Sequence, residues 1–281
     1  IGLGLNSESK IKFDCVGQVF EANESAKNFK EQISEVVIST IMNPTSLQVN
    51  LLNEAEKPTE TNVNMTFYDQ ENKSIKYNII HTLNAASNPD TLFVDPQKKY
   101  DLKIHTIPAK EINNIELIPG KHTIAATTAG QGALKINMAG TSKYKNLQAI
   151  VKQKNQIINI QNINSTQNYL TGIYSVEILT CPKILISDVN IIQSQQNNIN
   201  IPAAGSLQIV KAQPGYLSIF KREQNNLIQV AVLPVGTNKQ SIQLQPGNYE
   251  MSYRAKNAIS NKSTVQKKFT IVSGIATTTN F

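Results

Sequence analysis

The 281-residue chain has no tryptophan, two cysteines and only 6% aromatic residues. Each shortage weighs against a class of function. Rings this scarce supply few stacking platforms for single-stranded nucleic acid. They also leave little for the exposed aromatic surfaces on which sugar-binding sandwiches commonly hold a pyranose. Cys15 and Cys181 fall in segments expected to belong to different domains, so no disulfide is expected between them. No apolar run approaches the ~18 residues of a membrane-spanning helix. Catalytic signatures are missing as well. There is no G-x-S-x-G elbow, and no histidine accompanies Cys15 in its own segment. "GLGLNSE" lacks the third glycine and the helix of a dinucleotide-binding loop. Glu54, Glu56 and Glu60 flank "KPTET" and read as a solvated loop rather than an acid/base pair. The chain is therefore read as a non-enzyme.

What is present is charge, β-forming residues and turn punctuation. The 27 Lys+Arg against 20 Asp+Glu give a net charge of +7, which raises the question of an anionic partner. The basic residues do not cluster: Lys98-Lys99, Lys152 with Lys154, and Lys267-Lys268 are spread through strand-like segments. This is a solvated surface, and nucleic acid is not expected as a partner.

The first 44 residues differ from the rest. "IGLGL" reads as a strand ending at Gly4, "SESKIKFDCVG" as one or two helical turns, and "GQVFEAN" as a second strand. In "SAKNFKEQISEVVISTIM" the apolar residues Phe29, Ile33, Val36, Val37 and Ile41 form one helical stripe. Ser25 is placed as its N-cap, and Asn43-Pro44 ends it. Two strands and two helices cannot enclose a core alone, so the chain is expected to be the carboxy-terminal piece of something longer.

This order, "IGLG", a short helix and "GQVFEANESAKNFKEQISEVV", resembles the closing third of a von Willebrand factor type A domain over residues 1 to about 42. The resemblance implies an adhesion domain whose divalent-cation site (Mg or Ca) would lie upstream of Ile1. No cofactor is expected in this chain itself.

After Pro44 the pattern becomes short alternating segments such as "SLQVNLLN", "GALKIN" and "YLSIFK", bounded by Gly, Pro, Asn and Asp, and this is an all-β region. "IELIPGKHTIAA", "NYLTGIYSVEIL" and "IQLQPGNYEMSY" read as three copies of one turn-plus-strand element. Tyr174 and Tyr249, after the turn glycines, are read as packing residues. Residues 189–201 and 269–281 match position for position at a spacing of 80. The fold class is thus mainly β, with tandem Ig-like or transthyretin-like sandwiches at about 45–125, 126–200 and 201–281 behind the α/β piece at 1–44. The modules resemble the small carbohydrate-binding-like, transthyretin-type and PEGA-type sandwiches of bacterial envelope proteins. Behind a type A domain, the combination is similar to envelope proteins of the Bacteroidetes. It implies a periplasmic, cell-surface or secreted location.

His81, His105 and His122 are the only histidines; three imidazoles with a carboxylate could bind a divalent transition metal, and pairing of "KIHTI" with "GKHTI" would let His105 and His122 meet. They lack the short spacing of a metal motif, and polar residues bonded to backbone near turns are the simpler reading. "NPDTLFVDPQKKYD" lacks the acidic ladder of a calcium loop; two turns begun by Asn88 and Asp95 account for it. The functional expectation is an interaction or adhesion protein that binds a protein partner, with carbohydrate-binding accessory modules as the alternative.

Overall fold

In the computed structural model, residues 11–15, 18–22, 44–60, 62–140, 144 and 146–281 are described, the first two segments by backbone alone. Strands β1 (Ile11–Cys15) and β2 (Gln18–Ala22) pair antiparallel, Ile11 opposite Ala22 and Cys15 opposite Gln18. The helical turns expected around "KIKFDC" are therefore a strand. The alternation Ile11, Phe13, Cys15 has the period of two that a strand requires, and it outweighs the short polar lead-in. The opening strand expected at residues 1–5 and the helix expected over 25–42 lie outside the described residues.

From residue 46 onward the chain is β-structure, as the alternating segments predicted. The first set of strands is β3 (Ser46–Leu52), β4 (Val63–Asp69), β5 (Lys76–His81), β6 (Thr91–Phe93), β7 (Tyr100–Ile104), β8 (Lys110–Ile115) and β9 (His122–Thr128). The second is β10 (Gln131–Met138), β11 (Gln148–Gln153), β12 (Gln156–Asn162), β13 (Ser165–Leu170), β14 (Gly172–Ile178), β15 (Ile184–Ile191) and β16 (Gln196–Ile201). The third is β17 (Gly205–Val210), β18 (Gly215–Glu223), β19 (Asn226–Leu233), β20 (Lys239–Leu244), β21 (Gly247–Ala255), β22 (Val265–Ile271) and β23 (Ala276–Asn280). A 3-10 turn at Asn261–Ser263 is the one helical element among the described residues.

Each set makes the same sandwich, called here modules 1, 2 and 3. A three-stranded sheet orders the fourth, first and last strands (β6-β3-β9, β13-β10-β16, β20-β17-β23). A four-stranded sheet orders the third, second, fifth and sixth (β5-β4-β7-β8, β12-β11-β14-β15, β19-β18-β21-β22). The first and last strands of every module pair in parallel, and every other pairing is antiparallel. The chain divides into two compact units, residues 1–130 with module 1 and residues 131–281 with modules 2 and 3.

Binary patterning builds the cores. In β10 every second residue (Gly132, Leu134, Ile136, Met138) is buried and the intervening ones are partly exposed. In module 3, Leu207 and Ile209 of the small sheet meet Leu217, Ile219, Met251 and Ile271 of the large one.

Three local devices recur. One is a tyrosine at the start of the fifth strand. The Tyr174 hydroxyl donates to the Leu170 carbonyl at 2.9 Å and that of Tyr249 to the Gln245 carbonyl at 2.6 Å, each four residues back. Both rings are buried, as expected for packing residues. In module 1 the equivalent is Tyr100, whose hydroxyl bonds the backbone of Asp95. "IPGKHT" is therefore not the third copy of this element. It precedes the last strand, β9, which runs parallel to β3. The true counterpart, "DPQKKYDLKI", keeps the ring and drops the Pro-Gly pair, because an Asx turn does its work: Asp95 Oδ1 accepts from the Gln97 amide at 3.0 Å.

The second device links the fifth and sixth strands of modules 1 and 2. In "HTIPAK" and "LTCPKI" the peptide before proline is cis, and Thr106 and Thr180 each donate to the following proline carbonyl at 2.7 Å.

The third closes modules 2 and 3. The turns between β15 and β16 and between β22 and β23 place Ser194 and Gly274 at φ of 56° and 71°. Gln195 and Ile275 donate to the Ile192 and Val272 carbonyls, both at 3.2 Å. A glycine at the start of the first strand, Gly132 or Gly205, lies against each turn.

Candidate functional site

The three histidines are not brought together. His105 follows β7 in the four-stranded sheet and His122 lies on β9 in the three-stranded one, so "KIHTI" and "GKHTI" do not pair. His105 Nε2 is 2.7 Å from Thr66 Oγ1, His122 Nδ1 is 2.9 Å from Ser46 Oγ, and the buried His81 places Nε2 2.9 Å from the Val49 carbonyl. No group of three metal-ligating side chains occurs among the described residues.

Ser46 and His122 are at the distance of a nucleophile and its base. Their setting differs. Ser46 is buried in the middle of a sheet, with Phe93 opposite it on one side and His122 on the other. The bond is a cross-strand pair. The thiol of Cys181 donates to the Val230 carbonyl at 3.7 Å, and burial pushes its pKa up, which keeps it protonated. The turn expected at Asn88 is begun by Asn84 instead, whose Oδ1 accepts from the amides of Ala86 and Asn88. Of the three glutamates in the expected solvated loop, Glu60 is buried.

The surface that stands out is the outer face of the four-stranded sheet in module 2. Its central row crosses all four strands as Ile160, Ile150, Glu177 and Leu185. Leu185 is 74% exposed, Ile157 61% and Ile160 55%. Ile157 and Ile160 are three apart, a spacing that would put them on opposite faces of a regular strand. A register shift between Val151 and Lys152 brings both to the outside. The matching row in module 1 is Asn78, Thr66, Lys103 and Glu111, and in module 3 Val232, Ser218, Ser252 and Gln266. Module 2 alone has three aliphatic side chains in that row.

A salt-bridge triad sits within this apolar face. Glu177 accepts from Lys152 Nζ at 2.6 Å and from Lys183 Nζ at 2.7 Å. These two bonds, Lys152 first, hold its carboxyl at about 2, against an ordinary 4.5. A depressed carboxyl pKa contributes stability above the ordinary value, and that contribution is lost as pH falls toward about 2. NMR titration of the Glu177 carboxyl is expected to give a midpoint near 2, and Lys152→Ala is expected to raise it more than Lys183→Ala. The reverse ranking would remove Lys152 as the dominant partner.

No protein-family model and no curated protein matches the chain. Among solved structures, the Bacillus anthracis TIE protein aligns at 13% identity over 85% of this chain and 50% of its own, with a TM-score of 0.23. The chain thus spans half the length of that protein. A streptococcal ancillary pilin aligns at 10% identity over 84% of this chain and 98% of its own, TM-score 0.27. A Bacteroides uniformis protein described as a candidate carbohydrate-binding protein aligns at 8% identity over 81% and 96%, TM-score 0.25. At TM-scores this low no residue role, ligand or partner is carried over to this chain.

Proposed function

We propose that the chain is a non-enzymatic binding protein of the cell envelope or extracellular space, docking a protein partner on the outer four-stranded face of module 2. The observation that carries this reading is the outward row of exposed Ile160, half-buried Ile150 and exposed Leu185 around a neutralised Glu177. A contiguous exposed apolar patch on a sheet marks an interaction surface. The basic setting selects the occupant. Residues 131–201 hold six lysines and two carboxylates, a net charge of +4. A partner with an apolar centre and an acidic rim complements this pattern in charge and in desolvation. The location follows from the envelope-protein resemblance of the modules, and the type A resemblance of residues 1–42 would place an adhesion domain ahead of them.

A photo-crosslinking residue at Leu185, in the full chain on cells of the producing organism, tests the reading. A single protein adduct is expected from Leu185 and none from Gln208, an exposed residue on the outer face of the small sheet of module 3. Equal labelling from both positions, no adduct, or an adduct only between two copies of this chain would contradict it.

A further inference from the structure

A second surface feature lies on module 1 and has a different chemistry. β7 and β8 shift register so that Tyr100 opposes Ile115 and Leu102 opposes Ile112, leaving Asn113 and Asn114 across from Asp101 alone. This is a β-bulge, and Asn114 takes the left-handed conformation at φ 58°. The bulge is pinned. Asp101 Oδ1 accepts from the Asn114 amide at 3.0 Å and from Gln70 Nε2 at 2.7 Å, and Gln70 also donates to Asn114 Oδ1 at 2.6 Å. Beside it a depression of about 250 Å³ opens on the outer face of the sheet. Its walls are Tyr68 of β4, Asp101, Leu102 and Lys103 of β7, Glu111 and Asn113 of β8, and Lys73 of the β4–β5 turn.

The composition of the walls narrows the ligand. Two lysines and two carboxylates cancel, and Lys103 and Glu111 lie directly opposite each other across the strands. An anion gains nothing from such a site, whereas a hydroxyl, which donates and accepts at once, can satisfy a carboxylate and an ammonium or amide together. Tyr68 supplies the one aromatic ring, partly exposed, among mostly polar residues. An aromatic face ringed by alternating donors and acceptors suits a flat ring with an apolar face and hydroxyl edges.

Module 2 provides an internal comparison. It has the same bulge, with Tyr174 opposite Val189, Val176 opposite Ile186, and Asp188 left-handed at φ 57°. Lys152 there takes the place of Tyr68 and Ser175 that of Asp101. The backbone device is shared with module 2, which lacks the aromatic and the carboxylate; module 3 holds Phe220 and Glu250 at those two positions but pairs β21 with β22 without a register shift, so the bulge and the aromatic-carboxylate pair occur together in module 1.

We propose that this depression binds a neutral sugar, one or two units of a glycan, with Tyr68 stacking on the ring and Asp101, Glu111, Lys73, Lys103 and Asn113 bonding its hydroxyls. The site is separate from the protein-docking face of module 2, and either can fail without the other.

The test uses the full chain on an array of neutral hexose, N-acetylhexosamine and hexuronate oligosaccharides, followed by calorimetric titration of the best binder. Saturable binding of a neutral oligosaccharide is expected. Tyr68→Ala should weaken it about tenfold, the size of a lost stacking contact together with its buried area. Glu111→Gln should weaken it without altering the melting temperature, and Tyr216→Ala, which removes a more exposed ring from module 3, should leave it unchanged. No saturable binding by the whole chain would overturn the proposal. So would binding only of hexuronates, or equal losses from Tyr68→Ala and Tyr216→Ala.

Discussion

Replacing Tyr249 by alanine is expected to destabilise the 131–281 unit by about 3–5 kcal/mol, the range for truncating a buried aromatic side chain. The ring is 1% exposed and stacks on Phe269 with centroids 5.6 Å apart. It packs with Leu217, Ile219 and Met251 between the two sheets of module 3. Tyr249→Phe separates packing from polar satisfaction: the ring stays, the Gln245 carbonyl loses its donor, and the expected cost is about 1–2 kcal/mol. Burial also raises the pKa of this phenol, and it raises that of Tyr174 to about 12 from an ordinary 10.0. An acid whose folded pKa lies above its unfolded value holds more protons in the native state. Stability therefore falls as pH rises from about 10 through the folded pKa. Denaturant melts at neutral and alkaline pH read both effects. Equal stabilities of native and Tyr249→Ala chains would deny the ring its packing role, and equal stabilities of native and Tyr249→Phe chains would deny the hydroxyl-to-carbonyl latch its structural role.

Gly205→Ala is expected to cost about 1–3 kcal/mol by overpacking, although its backbone angles suit any residue. A Cβ there would lie 2.5 Å from the Val272 carbonyl oxygen, in the turn that closes module 3, and 2.6 Å from Cγ2 of Ile271, the last residue of β22. The backbone atom cannot swing aside as a side chain does. Gly132→Ala meets the Ile192 carbonyl oxygen at 2.2 Å and Ile191 Cγ2 at 2.9 Å and should behave alike. Gly274→Ala is the contrast: nothing lies within 4 Å of its Cβ, and its cost comes from the left-handed φ of 71°. Thermal melts of the three variants would show the first two shifted further than the third. A neutral Gly205→Ala would mean that the first strand does not lie against the closing turn.

The strands were legible because one side of each sheet is buried. In "QGALKINM" the alternation alone names the inward residues, and the 80-residue repeat marks two copies of one closing turn. The tyrosines of modules 2 and 3 follow visible Gly turns, whereas Tyr100 was hidden because its turn is made by an aspartate side chain. The helical turns expected near residue 11 fell to a short alternating run. Neither proposed site could be read from periodicity. The docking face depends on the register shift at Val151 and Lys152, and the sugar site on two residues opposite Asp101. Both are single-residue insertions in a ladder, and a sequence shows them only as Asn-rich or Ile-rich strand.

The most direct test of the binding role is the affinity of the purified chain for the protein captured at Leu185, compared with that of an Ile160→Lys, Leu185→Asp double variant. Both positions are exposed, so the fold should persist. The account predicts a loss of about a hundredfold, as for two residues central to an interface, with an unchanged melting temperature. Unchanged affinity in a folded double variant would contradict it.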